Sequence, residues 1–513
     1  MHNKVLILDF GSQYTQLIAR KVRSLNIYCE IQPYQISLEQ IQSFAPQAII
    51  LSGSPSSSSK INSPKPDEGI WQLRIPILGI CYGMQLLVTH YGGTILPSNR
   101  SEYGSAVLNI INHNELLAGL GDREEVWMSH SDAVSRLPEC FSVLGKTDQS
   151  PYAVIAHKEL PFYGLQFHPE VANTKNGIKV LENFLIRIGK ITADWTPNAF
   201  INESIEKIKE KIGNQKVILG LSGGVDSSVT AALLYKAIGN QLLPIFVDTG
   251  LMRYKEAERV KESFSLYPGL NIHFVDATKT FLSKLKGISD PETKRKIIGN
   301  TFIEVFEQVA KDYEDVHFLA QGTLYPDVIE STSAAGISST IKSHHNVGGL
   351  PEKMNLALIE PLRELFKDEV REVGTLLGLP ESIIQRHPFP GPGLAVRIIG
   401  EVEEEKVHLL QLADEIFINE LQKNGLYNTT WQAFAVLLPI RTVGVMGDER
   451  SYDQVCALRA VDSVDGMTAN FTQLPMWFLQ KVANRICNEV KGISRVVYDI
   501  SPSHLLLLNG NKR

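Results

Sequence analysis

Leu219-Gly220-Leu221-Ser222-Gly223-Gly224-Val225-Asp226-Ser227-Ser228-Val229-Thr230 is the stretch on which the fold turns. The apolar run Val217, Ile218, Leu219 predicts a buried strand, Ser222 to Ser228 a tight loop, and Val229 to Ile238 the helix that follows. A strand, a loop and a helix N-terminus in that order trap anions. Gly223 and Gly224 let backbone amides approach an oxyanion, Ser222, Ser227 and Ser228 add hydroxyl donors, and the helix end supplies partial positive charge. The Gly-Lys-Ser/Thr ending of a Walker loop is missing. The pattern therefore reads as a grip on pyrophosphate, with a ligand-free glycine-rich turn as the plainer alternative. Asp226 is a candidate Mg2+ ligand, because that ion prefers few carboxylates together with phosphate oxygens.

At 513 residues the chain has room for roughly three domains of about 150 residues. Its net charge of −6 gives no basic field that would point to nucleic acid or to an anionic membrane. The five cysteines are Cys29, Cys81, Cys140, Cys456 and Cys487. They are scattered and odd in number, and none forms a CxxC pair, so neither a disulfide framework nor a zinc site is expected. The sequence opens on the strand-like Val5-Leu6-Ile7-Leu8-Asp9 with no charged leader, and no apolar run approaches membrane-spanning length. The expectation is a cytoplasmic protein.

The first third repeats the strand-then-helix design. Val5 to Leu8, Tyr28 to Gln32 and Ala48 to Leu51 read as strands, and Thr15 to Leu25 and Leu38 to Phe44 as helices. Such alternation implies a doubly wound, mostly parallel sheet, with chemistry beyond the carboxyl ends of its strands. Ile75-Pro76-Ile77-Leu78 then runs into Gly79-Ile80-Cys81-Tyr82-Gly83-Met84-Gln85, which has the shape of a nucleophile elbow. A thiolate is favoured at a helix N-terminus, yet a lone buried cysteine can equally be inert packing. His168-Pro169-Glu170 follows the strand-like Phe162 to Phe167, so a base and a carboxylate to orient it fall at the same kind of edge. Taken alone, that pair could instead be a metal pair or a solvated turn.

Cys81, His168 and Glu170 together resemble the class I glutamine amidotransferases over about residues 1 to 190. The resemblance implies that Cys81 attacks the glutamine carboxamide and His168 protonates departing ammonia. It also implies an oxyanion hole from the backbone N–H groups of Gly53 and Tyr82, and a glutamine contact at Gln85. Many relatives have Gly-Gly-Pro where this chain has Gly53-Ser54-Pro55, which leaves the backbone donor in place.

Ser-Gly-Gly-Val-Asp-Ser-Ser at 222–228 resembles the loop of the ATP pyrophosphatases, which split ATP into AMP and pyrophosphate to activate a carbonyl oxygen. Three further strands are expected: Leu243 to Val247, Asn271 to Val275 and Val316 to Ala320, each ending near an acidic or glycine-bearing loop. The likeness implies ATP contacts at Ser222, Gly223, Gly224, Val225, Asp226, Ser227, Ser228, Val247 and Gly322. Ile178 to Ile188 reads as an amphipathic helix closing the first domain, and residues 189–200 as a crossing segment. Residues 341–353, with His344, His345, Gly348 and Gly349, read as a mobile lid that brings Lys353 to phosphate charge.

His387-Pro388-Phe389-Pro390-Gly391-Pro392-Gly393-Leu394 is stiff, since its three prolines deny helix and ladder alike. With the two preceding segments, and with Thr442 to Asp448 and Arg495 to Ile500, it resembles the glutamine-hydrolysing GMP synthase family from about residue 4 to residue 500. The expected architecture is α/β. A class I amidotransferase domain (1–190) and a Rossmann-like ATP pyrophosphatase domain (191–387), both doubly wound, precede a smaller α+β dimerisation domain (388–513). The resemblance implies glutamine, ATP and xanthosine monophosphate (XMP) as substrates, with Mg2+, and a homodimer with no nucleic-acid or membrane partner. XMP contacts are implied at Arg295, Gly391 and Gln473.

One departure stands out. Relatives end in Lys-Pro-Pro-Ala/Gly-Thr-Ile-Glu-Trp-Glu, whereas this chain ends in Ser501-Pro502-Ser503-His504, four leucines and Asn509 to Arg513. One inserted base in the Pro502 codon of a suitable back-translation restores the usual ending, so a frameshift is expected. The competing expectation is a substrate-binding regulator that has lost synthesis through this altered tail.

Overall fold

The computed structural model describes residues 2–58, 62–265, 267, 269–313, 315–334, 356–446, 449–462, 468–501 and 503–504. The expected lid with Lys353, and the leucine run of the tail, lie outside them. The chain forms two compact units, Met1–Phe200 and Ile201–Arg513.

The first unit is built on a nine-stranded sheet in the order β2-β1-β3-β4-β9-β8-β7-β5-β6. Its strands are β1 (Lys4–Asp9), β2 (Tyr28–Pro33), β3 (Ala48–Leu51), β4 (Ile77–Ile80), β5 (Thr94–Ile110), β6 (Arg123–Arg136), β7 (Phe141–Lys146), β8 (Val154–His157) and β9 (Phe162–Leu165). From β2 to β9 the pairing is parallel, and from β9 to β6 it is antiparallel. β1, β3 and β4 are apolar runs, as strands buried on both faces should be. The helix Leu38–Phe44 begins with a capping box between Ser37 and Gln40 and stops where Ala45 turns left-handed. The amphipathic segment after Asn176 is an α-helix only over Gly177–Glu182 and widens to a π-helical turn at Asn183–Ile188. Asn183 is fully buried there and donates to the carbonyls of Leu116 and Ala118. The crossing segment is packed: Trp195 is buried against Tyr28 and Arg23, and its N–H donates to the Asn26 carbonyl.

The second unit contains a parallel sheet in the order β12-β11-β10-β13-β14. These are β10 (Lys216–Gly220), β11 (Leu242–Asp248), β12 (His273–Asp276), β13 (Val316–Ala320) and β14 (Ala357–Ile359). All its strands run parallel, and the order in which they are added reverses between β10 and β13, the point where such folds bind ligands. A third sheet holds β15 (Gln432–Met446), β16 (Glu449–Asp462), β17 (Thr468–Phe471), β18 (Ile493–Tyr498) and β19 (Ser503–His504), in which β18 runs parallel to β16. One apolar core joins the two sheets of this unit: Ile218, Ile245 and Val247 share it with Leu394, Phe417, Leu437, Cys456 and Phe478.

The phosphate-loop reading needs one correction. The helix starts at Val225, directly after Gly224, so Asp226, Ser227 and Ser228 sit on its first turn and only Ser222 to Gly224 form the loop. The N–H groups of Val225, Asp226 and Ser227 therefore belong to a first helical turn, where they have no acceptor within the helix.

Candidate active site

Cys81 directly follows β4 and caps the helix Tyr82–His90 with φ 53° and ψ −101°. A residue with a side chain occupies that left-handed region at a cost of about 1–3 kcal/mol. Close packing enforces the turn. A Cβ on Gly83 would lie 2.4 Å from the Leu51 carbonyl oxygen, and one on Gly79 would lie 2.5 Å from the Gly83 backbone. The Cys81 N–H donates to the Leu165 carbonyl at 2.6 Å, so β9 clamps the elbow.

β9 also delivers the partner groups. His168 Nδ1 lies 2.7 Å from Glu170 Oε1, and both side chains are sealed from solvent. Burial alone pushes the imidazole pKa down. The charge of Glu170 and hydrogen bonds to Cys81 and Glu170 outweigh it, and the His168 pKa stands well above the ordinary histidine value. An imidazolium facing a thiol can protonate a departing amine. Among the described residues the buried Glu170 Oε2 atom has no hydrogen-bond partner, which leaves His168 as the group this carboxylate serves.

Other side chains surround the cysteine and the imidazole. Gln166 Nε2 donates to Cys81 Sγ at 3.7 Å, and the Cys81 thiol points at the Ser129 carbonyl at 3.8 Å. The Tyr14 ring meets His168 edge-on, with centroids 5.0 Å apart. A Cβ on Gly53 would stand 3.3 Å from both His168 Cε1 and Ser12 Oγ, so Gly53 lies against the imidazole. Tyr82 is the first helical residue, where the N–H has no acceptor within the helix. Gln85 is buried, accepts from Ser58 Oγ at 2.9 Å and donates to the Asp132 carbonyl at 3.0 Å.

In the second unit, Gly223 has φ 74° and the loop hydroxyls interlock. Ser222 Oγ lies 3.0 Å from Ser227 Oγ, and the Ser222 N–H donates to Ser227 Oγ at 3.2 Å. Ser228, expected among the loop donors, is fully buried and its hydroxyl has no hydrogen-bond partner among the described residues. Lys367 Nζ donates to both oxygens of Asp226 at 2.6 Å. Gly322 abuts the same turn: its Cβ would stand 3.2 Å from the Asp226 backbone. Val247 is buried in β11. Arg295 is half-buried beside Glu292 at 3.4 Å, while Gly391 and Gln473 are exposed. Its neighbour Lys294 is buried, donates to the Ala395 and Ile398 carbonyls, and has a pKa lowered by desolvation to about 8.

Comparison with known proteins covers the same ground. The class I glutamine amidotransferase model matches residues 6–188, the NAD synthase model 198–282, and the GMP synthase C-terminal domain model 419–504. "GMP synthase [glutamine-hydrolyzing]" of Brachyspira hyodysenteriae is 55% identical over 97% of both chains. The proteins of that name from Thermosipho melanesiensis and Aquifex aeolicus are 56% and 55% identical, each over 97% of this chain and 98% and 97% of their own lengths. The chain belongs to the glutamine-hydrolysing GMP synthase family.

Several groups beside the two sites of this GMP synthase family member carry no local sequence signal. Gln166 is 85 residues from Cys81, Lys367 is 141 from Asp226, and Arg386, which donates to the Gly223 carbonyl, is 163 away. Among the described residues no group of three or more His, Cys, Asp or Glu side chains could hold a metal ion. A single carboxylate at a phosphate loop still fits Mg2+, whose remaining ligands come from phosphate and water. Such an ion would compete with Lys367 for Asp226.

Proposed function

We propose that this chain makes GMP from XMP, taking nitrogen from glutamine and splitting ATP to AMP and pyrophosphate. The observation that carries the reading is the pairing, in one chain, of a strained cysteine elbow facing a buried His–Glu pair with a pyrophosphate-type loop at the switch point of a second sheet. Cys81 attacks the glutamine carboxamide while the Gly53 and Tyr82 amides hold the oxyanion and Gln85 orients the substrate. His168 gives its proton to departing ammonia, then takes one from the water that hydrolyses the thioester; Glu170 holds the imidazole in line. In the second unit, Ser222 to Ser227, Val247 and Gly322 hold ATP, with Ser228 buried behind the turn, and Arg295, Gly391 and Gln473 hold XMP. The C2 oxygen of XMP attacks the α-phosphorus and pyrophosphate leaves into the loop. Ammonia then adds at C2 and AMP departs, because adenylation has turned a poor oxygen leaving group into a good one. Mg2+ on Asp226 and the phosphates would neutralise charge there, and Lys367, released from Asp226, would supply a cation to the same oxygens.

The domain limits that fit this division are 1–190, 191–387 and 388–513. A homodimer through the third sheet is supported by its exposed apolar face: Val443 and Tyr452 are cross-strand partners, with Ile440 and Val497 also exposed. No helix among the described residues is long and apolar enough to cross a membrane, and we place the protein in the cytoplasm. The test is phosphorus NMR of a mixture of XMP, ATP and ammonium. Equal amounts of AMP, pyrophosphate and GMP are expected, and ADP with orthophosphate, or unconsumed XMP, overturns the reading.

A further inference from the structure

The phosphate loop is braced from behind by a pair of side chains that the reaction scheme leaves without a task. Arg386 Nη1 donates to the Gly223 carbonyl at 2.7 Å, and Arg386 Nη2 is ion-paired with Glu256 Oε1. Glu256 is 5% exposed and opens the helix Glu256–Phe264, where the helix end favours a carboxylate. The fit around Gly223 is close: an added Cβ would meet Val260 at 2.8 Å, Glu256 Oε1 at 3.1 Å and Arg386 Nη1 at 3.4 Å. A trans peptide points its C=O and N–H in opposite directions. Holding the Gly223 oxygen against Arg386 therefore turns the Gly224 N–H the other way, to the side of Ser222 Oγ, 3.4 Å from it. That is the side on which the loop gathers its donors.

We infer that Arg386, carried by Glu256, is a positioning residue that fixes the Gly223–Gly224 peptide so that its N–H meets the pyrophosphate portion of ATP. The arginine does not touch the ligand; it sets the direction of a backbone donor that does. This deepens the proposed function and rests on its reading of the loop. Arg386 also leads directly into the proline-rich segment, in which the Leu394 N–H donates to the Leu251 carbonyl at 2.7 Å and the His387 ring stacks on Tyr427. The loop is thus referenced to the rigid core of its unit.

The test titrates full-length protein with inorganic pyrophosphate and Mg2+ by calorimetry, and measures GMP formation from XMP, ATP and ammonium. Arg386→Met is expected to weaken pyrophosphate binding and raise KM for ATP by about tenfold each, with KM for XMP within about twofold. Arg386→Lys still reaches the Gly223 oxygen and is expected within about threefold of wild type. Glu256→Gln is expected between the two. The inference is overturned if Arg386→Met binds pyrophosphate as wild type does, if it loses kcat alone with both KM values unchanged, as fewer folded molecules would give, or if Arg386→Lys is as poor as Arg386→Met. Wild-type protein that binds pyrophosphate yet makes no GMP overturns the proposed function instead, and the pyrophosphate titrations still decide the role of Arg386.

Discussion

Replacing Glu170 with glutamine keeps the shape of the side chain and one acceptor oxygen but removes the charge 2.7 Å from His168 Nδ1. Both groups are buried, so water cannot substitute for the lost partner. Breaking a buried pair on one side typically costs about 3–5 kcal/mol, and about 3 kcal/mol in the step that needs the imidazolium is a loss of roughly 100-fold in glutaminase rate. Desolvation then acts on His168 with its main opposing influence gone, so the alkaline limb of the glutaminase pH profile, where the imidazolium is lost, moves to lower pH. The sign for stability follows from the raised pKa of the folded imidazole. The contribution of the pair is fully present below the unfolded histidine value of about 6.5 and is lost as pH rises through the higher folded value. Melting temperatures of wild type and Glu170→Gln should therefore differ most near pH 6 and converge toward pH 9. Ammonia-supported GMP formation should be unchanged. Glutaminase activity within threefold of wild type, or a melting gap that widens with pH, refutes the argument.

Two further outcomes follow. Lys367→Met leaves Asp226 without its cation and removes a charge from the phosphate loop; ATP-dependent GMP formation should fall by roughly 30-fold or more, equivalent to about 2 kcal/mol, with glutaminase spared, as separate assays of the two half-reactions will show. His387 is buried, its Nε2–H donates to the Tyr427 carbonyl and its Nδ1 accepts from the Ala433 N–H, and desolvation pushes its pKa down to about 4. A histidine that must stay neutral stabilises fully above about pH 6.5 and progressively less as pH falls toward 4, by up to about 3 kcal/mol; urea melts of His387→Gln should show a flatter dependence across that window, and an equal slope contradicts the assignment.

How much was legible in the sequence depended on the range of the contacts. Apolar runs such as Ala48–Leu51 and Val316–Ala320 are strands with the limits their hydrophobicity implies, and the Gly-x-Cys-x-Gly spacing anticipates the elbow because the small residues are needed on the spot. The antiparallel strands β5 to β8 escaped the reading. β5 and β6 are half-exposed, with Tyr103 67% and Val107 42% exposed on β5, so no continuous apolar run marks those two, while β8 is a short buried run of four residues. The Lys294-Arg295-Lys296 run has the look of a solvated face, yet Lys294 is buried because the chain at Ala395 and Ile398 brings carbonyls to its ammonium. Gln166, Lys367 and Arg386 reach the sites only through tertiary folding, and no local pattern in one sequence encodes such pairings. The early helix start at Val225 was hidden by serines, which favour loops by propensity but here occupy a first helical turn.

The central claim is a division of labour, with nitrogen released in the first unit and an oxygen activated in the second. Its most direct test is GMP formation by wild type and Cys81→Ala, each supplied in turn with glutamine and with ammonium. The account predicts that Cys81→Ala loses the glutamine-supported rate and keeps the ammonium-supported one. A variant that still uses glutamine, or that fails with both nitrogen sources while remaining folded, contradicts it.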